Sequence, residues 1–415
     1  MKKLKYGRLF DEILEIFFSA DNAAEFRKLA EEKKADTDLS GSDLTMEVKE
    51  QMKPESGITN IKQQIDLLIT FASEKLSAAK YLGLVQNLGH YSITIGELNS
   101  AAEIFEEIVS KTKKDKKLFE LQADAFASLS EIYRRKAKWN ESFSYAKKAL
   151  AIYKKNNDPK GQARCSNLLG TIYGEQGNFM KAKQHFEQSL SLLGNSKDSE
   201  FKGKTEINLG IVNNILGSYD EALSYFNRAL ITYNKISDLK RIAEIQHNIA
   251  MMHVNTKKTQ TALEEFDRSI STCIKISYLP VLGISYLGKS YTFTLQQDYN
   301  LADAFADKAM QICHKVDDKL SIADAYKIKG IIQRNLKNYD KAENYLNTSM
   351  RINKELGNKL NEAETSYELG LLYKNTGKIK SSRSRFTEAL NYFKSLKADS
   401  KVKEIKEQMA ALAAY

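Results

Sequence analysis

Apolar residues recur at spacings of three, four and seven along nearly the whole chain, which predicts helices with one buried face rather than strands. The pattern itself repeats. Small residues stand at Ala101, Ser142, Ala182, Ala222, Ala262, Ala302, Ala342 and Ser382, one step of 41 residues followed by six of 40. A fixed period of this length predicts a row of like supersecondary units, each unable to bury its apolar face without a neighbour.

Other columns keep the same register. Twelve residues ahead of the small column stand Gly89, Ser130, Gly170, Gly210, Ala250, Ser290, Gly330 and Gly370. Four residues after it stand Phe105, Ala146, Phe186, Phe226, Phe266, Ala306, Leu346 and Phe386. Two helices approach closely only where side chains are small, so the two small columns predict the contact point and the aromatics fill the volume around it. A bulky column (Leu98, Trp139, Phe179, Tyr219, Tyr299, Tyr339, Ile379) opens the second helix, with Thr259 the exception. Gly96, Gly177, Gly217 and Gly377 are placed to end first helices in the left-handed conformation, and Asn178, Ser218, Asp298 and Asn338 to cap the second ones. One repeat departs from the pattern. Leu287-Gly288 arrives two residues early relative to Ser290, which predicts a rephased helix or a longer turn there, while Pro280 falls at a helix start where proline is tolerated.

The stretches NLLGTIYGEQGNFMKAKQHFEQSL (167–190), NLGIVNNILGSYDEALSYFNRAL (208–230) and ELGLLYKNTGKIKSSRSRFTEAL (368–390) resemble the tetratricopeptide repeat, with Asn213 where a tyrosine is usual. The resemblance covers eight repeats, residues 77–396. The common period is about 34 residues, and the longer one here adds roughly a turn and a half of helix. That longer form is similar to the repeats of kinesin light chains, of polarity adaptors that bind G-protein subunits, and of bacterial peptide-sensing regulators. The resemblance implies an all-α, right-handed superhelical solenoid. Outside the repeats, residues 1–56 read as an N-terminal module: two helices over 4–34 joined near Ala20–Asp21, then a hinge over 36–56 containing Pro54. Residues 57–76 read as a leading helix, and 397–415 as a helix that caps the last exposed face.

In such a solenoid the first helices line a concave groove, and the implied function is a scaffold or adaptor holding a peptide or protein partner there. One groove column carries Asn87, Asn208 and Asn248, with Asn167 one place away. An asparagine amide both donates and accepts, so a ladder of them suits the backbone of an extended peptide. Further along the same helices come Arg134, Arg135, Asn214, Asn255, Arg334, Asn335, Lys374 and Asn375, with Glu131, Glu175, Glu244 and Glu364 as expected neighbours. Two other readings stay open: a peptide-sensing regulator whose N-terminal helices contact an effector, and nucleic-acid binding.

Charge weighs against the last. The net +10 comes from 63 basic and 53 acidic residues spread over 415, a diffuse surplus rather than a patch, and the groove mixes both signs. The KTKKDKK run at 111–117 reads as a solvated turn between repeats. Cys165, Cys273 and Cys313 are odd in number and scattered, so they predict neither disulfides nor a metal site. His247 and His253 are six residues apart, on different helix faces, and His253 takes a core position held elsewhere by tyrosine. No phosphate loop, metalloprotease helix or nucleophile elbow is present, so no catalytic residue, metal or cofactor is expected. Acidic residues at Asp11, Glu12 and Glu15 break the early apolar stretch, and Leu9, Phe10, Ile13, Leu14, Phe17 and Phe18 instead mark a helix face. With no long uncharged apolar run, the expectation is a cytoplasmic protein without a membrane span, open to self-association through its terminal helices.

Overall fold

The computed structural model describes residues 13–40, 56–113, 115–194, 198–396 and 398–412. Leu9, Phe10 and most of the expected hinge, including Pro54, lie outside the described residues. The chain divides into two compact units, Met1–Ile172 and Tyr173–Tyr415. Among the described residues sixteen helices follow one another as eight successive pairs, which form hairpins within each unit: Ala78–Ile95 with Leu98–Thr112, Phe119–Arg135 with Trp139–Lys155, then Pro159–Glu175 followed by Phe179–Leu193 across the boundary of the units, then Ser199–Ile215 with Tyr219–Lys235, Leu239–Asn255 with Thr259–Ile276, Leu279–Leu295 with Tyr299–Lys315, Lys319–Asn335 with Tyr339–Leu356, and Lys359–Asn375 with Ile379–Ser395. The helix Ala20–Ser40 runs on through residues expected to begin the hinge, and Ser56–Lys75 precedes the first hairpin.

Each hairpin turns through one left-handed residue. Gly96, Gly177, Gly217 and Gly377 serve as expected, with φ between 71° and 88°. In the other described hairpin turns the position is held by Ala137, Lys257, Gln297 and Lys337, at φ from 54° to 64°. An L side chain held there costs about 1–2 kcal/mol, partly offset because glycine has more freedom to lose on folding. Lys257→Gly is therefore expected to stabilise the protein by about 0.5 kcal/mol, read as a higher urea midpoint with unchanged slope.

The caps divide differently from the sequence expectation. Asn178 and Asp298 accept the backbone N–H of Lys181 and Leu301, whereas Ser218 and Asn338 stand at the N-cap without a side-chain bond to the helix. The more regular caps lie at the turns between hairpins. Asp158, Asp198, Asp238, Asp318 and Asn358 each accept the N–H three residues on, at 2.9–3.1 Å.

Within the hairpins the small columns do meet. Ser130 Oγ donates to the Ser142 carbonyl and Ser142 Oγ to that of Ser130, both at 2.8 Å. Ser290 Oγ donates to the Ala302 carbonyl at 2.7 Å, and Ser382 Oγ to that of Gly370 at 2.8 Å. A methyl group built on Gly210 would lie 2.4 Å from the Phe226 ring, and one on Gly370 2.6 Å from Phe386. The expected rephasing near Leu287-Gly288 is not observed: Leu279–Leu295 has the length of its neighbours, carries its proline in the first turn, and ends on the same kind of turn at Gln297. Gly288 has a different cause. A methyl built on it would sit 2.3 Å from Phe266 of the preceding hairpin, so the glycine makes room for that ring. Phe266 belongs to the hairpin whose small column carries Ala250 rather than glycine.

Both ends of the array are covered by helices. In the first unit Ile13, Leu14, Phe18, Phe26, Leu68 and Phe71 join one apolar core with Leu84, Leu88 and Phe105 of the first hairpin. In the second unit Ile405 and Leu412, on and just after the helix Asp399–Ala411, pack with Tyr367, Phe386 and Phe393 of the last hairpin.

Candidate functional site

The first helices of the last four hairpins and the closing helix bring one face each to a cavity of about 470 Å³ in the second unit. Such a volume lies within the range of small-ligand and peptide-anchor pockets. Met251, Ile284, Leu287, Ile328 and Ile331 form its apolar wall, and His247, Asn255, Tyr291, Asp324, Lys327, Asn361, Glu364, Tyr367, Glu368 and Lys401 bring polar groups. The 40-residue period explains the convergence, because residues one period apart occupy equivalent faces of successive helices. Asp324 and Glu364 are such a pair, and Glu404 on the closing helix continues the column.

The polar side is built from charges bridging neighbouring helices. Lys327 Nζ lies 3.1 Å from Asp324 and 2.5 Å from Glu364. Burial by itself would lower the lysine pKa, but the two carboxylates overcome it and hold it above the ordinary value. Asp324 also accepts Asn361 Nδ2 at 3.1 Å. Burial, helped by the Glu364 charge, pushes the Asp324 carboxyl above the ordinary aspartate value in spite of Lys327. Arg334 pairs with Glu368. Lys401 bonds Glu404 at 2.9 Å and lies 4.0 Å from the centre of the Tyr367 ring, whose hydroxyl donates to Glu404 at 2.5 Å. Burial lowers the His247 pKa to about 4, and its Nδ1 is 3.2 Å from Ser285 Oγ. The imidazole is therefore neutral at physiological pH.

Of the residues expected to form a groove, Asn255 lines this cavity, where its Nδ2 also donates to Asn214 Oδ1 at 3.1 Å. Arg334 takes part through Glu368. Lys374 Nζ reaches Gln408 of the closing helix at 3.0 Å, and Asn335 and Asn375 are exposed. The asparagine ladder divides. Asn87 is exposed and donates to the Gly83 carbonyl of its own helix at 2.8 Å, Asn167 is buried, and Asn208 and Asn248 are half-buried. In the first unit Arg134 and Arg135 both bind Glu131, at 2.7 and 2.9 Å, and Arg135 also donates to the Ile93 carbonyl. Asp324, Lys327, Tyr291, Tyr367, Glu368 and Lys401 escaped the sequence reading. The signal was available, since the column eighteen residues before the small one carries Asp324 and Glu364.

A second polar centre lies in the first unit. Asp124, its side chain only 10% exposed, is 3.0 Å from both Arg164 and His90 and accepts Gln86 Nε2 at 2.7 Å. Burial would raise its pKa, but the His90 hydrogen bond and the Arg164 charge bring it down to about 2. A carboxyl lowered in the folded state contributes stability that is complete above its unfolded pKa and lost as pH falls through the folded value. Asp124→Asn is expected to cost about 2 kcal/mol at pH 7, a difference that shrinks as the pH approaches 2. Urea unfolding of both proteins across that range checks it.

The three cysteines are free and buried. Burial pushes the Cys165 thiol up to about 12 and those of Cys273 and Cys313 to about 11. Among the described residues no group of His, Cys, Asp and Glu is placed to hold a metal ion, and no helix is long and apolar enough to cross a membrane.

A family model described as tetratricopeptide repeat matches residues 121–194, 202–275 and 321–395. No curated protein matches the sequence. Among solved structures the chain is similar to aspartyl phosphate phosphatase F from Bacillus subtilis, at 20% identity over 85% of this chain and 94% of that one, with a TM-score of 0.56. It is also similar to a Rap protein complexed with competence and sporulation factor, at 13% identity over 80% and 97% of the two chains and a TM-score of 0.58. A third similar structure is the apo form of the quorum sensor NprR from B. thuringiensis, at 14% identity, coverage of 81% and 100%, and a TM-score of 0.53. At these identities the likeness extends to the fold alone.

Proposed function

Because the chain belongs to the tetratricopeptide repeat family, we propose that it is a binding protein that takes a peptide, or an extended segment of a partner protein, into the cavity of its second unit. The observation that carries this reading is the cavity itself, where an apolar wall faces hydrogen-bonding groups supplied by five different helices. Separate helices can present side chains along a guest of some length, and the mixture of apolar and polar groups suits a peptide. The half-buried Asn208 and Asn248 belong to the same proposal as backbone contacts, a role that Asn208→Ala with Asn248→Ala tests.

Selection of a displayed random-peptide library on the full-length protein tests the cavity directly. Recovered peptides are expected to lose about tenfold or more in affinity for Met251→Arg, which fills the cavity from its half-buried wall, while helicity is unchanged. Equal binding by wild type and variant would place the binding surface elsewhere. A second reading, a regulator that senses a peptide and acts on an effector through its N-terminal helices, draws on the quorum sensor NprR and on the Rap protein solved with its factor. The sharing of one core by the N-terminal helices and the first hairpin also supports it.

A further inference from the structure

We infer that the guest of this cavity presents a lysine or arginine side chain, seated against Asp324 and Glu364. The inference rests on the reading of the cavity as a peptide site and adds the chemistry of the guest.

Charge counting around the cavity carries it. Among the described residues four carboxylates (Asp324, Glu364, Glu368, Glu404) face or flank it, against three cations (Lys327, Arg334, Lys401). Arg334 is engaged by Glu368 and Lys401 by Glu404. Lys327 is left to serve both Asp324 and Glu364, one ammonium between two carboxylates. The adjacent His247 is neutral and supplies no balancing charge. Among the described residues one negative charge in this half-enclosed site is thus without a matching cation, and its environment makes a charge-assisted bond stronger than it would be on an open surface. Glu364, with 39% of its side chain exposed, is the member of the pair more open to a guest. The apolar wall from Met251 to Ile331 then suits apolar residues beside the cationic one. An anionic guest would instead add like charge to a site already in surplus, so it is disfavoured.

The test uses three pools of heptapeptides with both ends blocked. Their central residue is fixed as arginine, glutamine or glutamate, and their flanks are drawn from Leu, Ile, Ala, Ser and Asn. Retention on immobilised full-length protein is read by mass spectrometry. The arginine pool is expected to be retained roughly ten- to hundredfold over the glutamine pool, the worth of one hydrogen-bonded charge pair. Glu364→Gln should bring that ratio close to one, and Glu364→Lys should turn the preference towards glutamate. Equal retention of the arginine and glutamine pools by wild type would overturn the inference and leave the peptide reading standing. An arginine preference that survives in Glu364→Gln would overturn it too, by moving the cation elsewhere. Retention of no pool at all would bring down both. Circular dichroism of each variant separates a lost site from a lost fold.

Discussion

Replacing Lys327 by methionine is expected to lower stability by about 2 kcal/mol at neutral pH, and by progressively less as the solution is acidified. The substitution keeps the apolar stem and removes the ammonium, so Asp324 and Glu364 are left facing each other. Removing one partner of a fully buried pair typically costs about 3–5 kcal/mol. Here Asp324 and Glu364 keep 34% and 39% of their side-chain exposure, which places the expected cost below that range. The pH dependence follows in sign. Asp324 already has a raised pKa with Lys327 present, so its contribution to stability is greatest below the ordinary aspartate range and declines as pH rises through the folded value. Without the lysine that value rises further, and acidification relieves the repulsion by protonating one carboxyl. Lys327 itself, raised by its partners, stabilises wild type up to the ordinary lysine range, and this is lost as pH rises through its folded value. Urea unfolding of both proteins at pH 7 and at about pH 4.5 reads the difference. A variant as stable as wild type at pH 7 would show that the triad carries no net interaction.

A second large effect is expected in the packing between helices. Gly210→Ala would gain about 1 kcal/mol in an open helix, yet here a net loss of about 2 kcal/mol is expected. The new methyl would lie 2.4 Å from the Phe226 ring, which is fully buried and has little room to move. The fifth hairpin indicates how alanine is tolerated at this position. There Ala250 stands in the glycine column, and the corresponding ring, Phe266, leans on Gly288 of the next hairpin. For Phe226 the equivalent position of the next hairpin is Asn248. Asn248→Gly in the Gly210→Ala background should therefore recover part of the loss, and a double-mutant cycle measures the coupling. Should the single alanine variant be more stable than wild type, helix propensity rather than the close contact governs this column.

These contacts explain which features the sequence made readable. Columns such as Gly210, Ala222 and Phe226 obey a steric rule that repeats every 40 residues, so the hairpins, their contact points and the glycine turns could be read by aligning the chain on itself. Exceptions within a column were harder to interpret. Gly288 read as a phase error because the ring it accommodates lies in the preceding hairpin, a relation between repeats that no single repeat contains. The cavity was less legible for the same reason. Lys327 matters because Glu364, on the first helix of the next hairpin, reaches it, and the lysine by itself is not conspicuous in a chain with acidic and basic residues throughout. The asparagines attracted attention by residue type, yet burial separates them: Asn87 is exposed, Asn167 is buried, and Asn208 and Asn248 lie between.

The buried thiols have a practical consequence. Thiolate is the reactive form of cysteine, and with pKa values near 11 and 12 the native side chains carry almost none of it at neutral pH. The protein therefore offers a chemically silent background. A single cysteine introduced at an exposed position near the cavity, such as Asn335, could carry a fluorophore or spin label under conditions that leave Cys165, Cys273 and Cys313 untouched, and the occupancy of the cavity could be followed in solution without first removing any native residue.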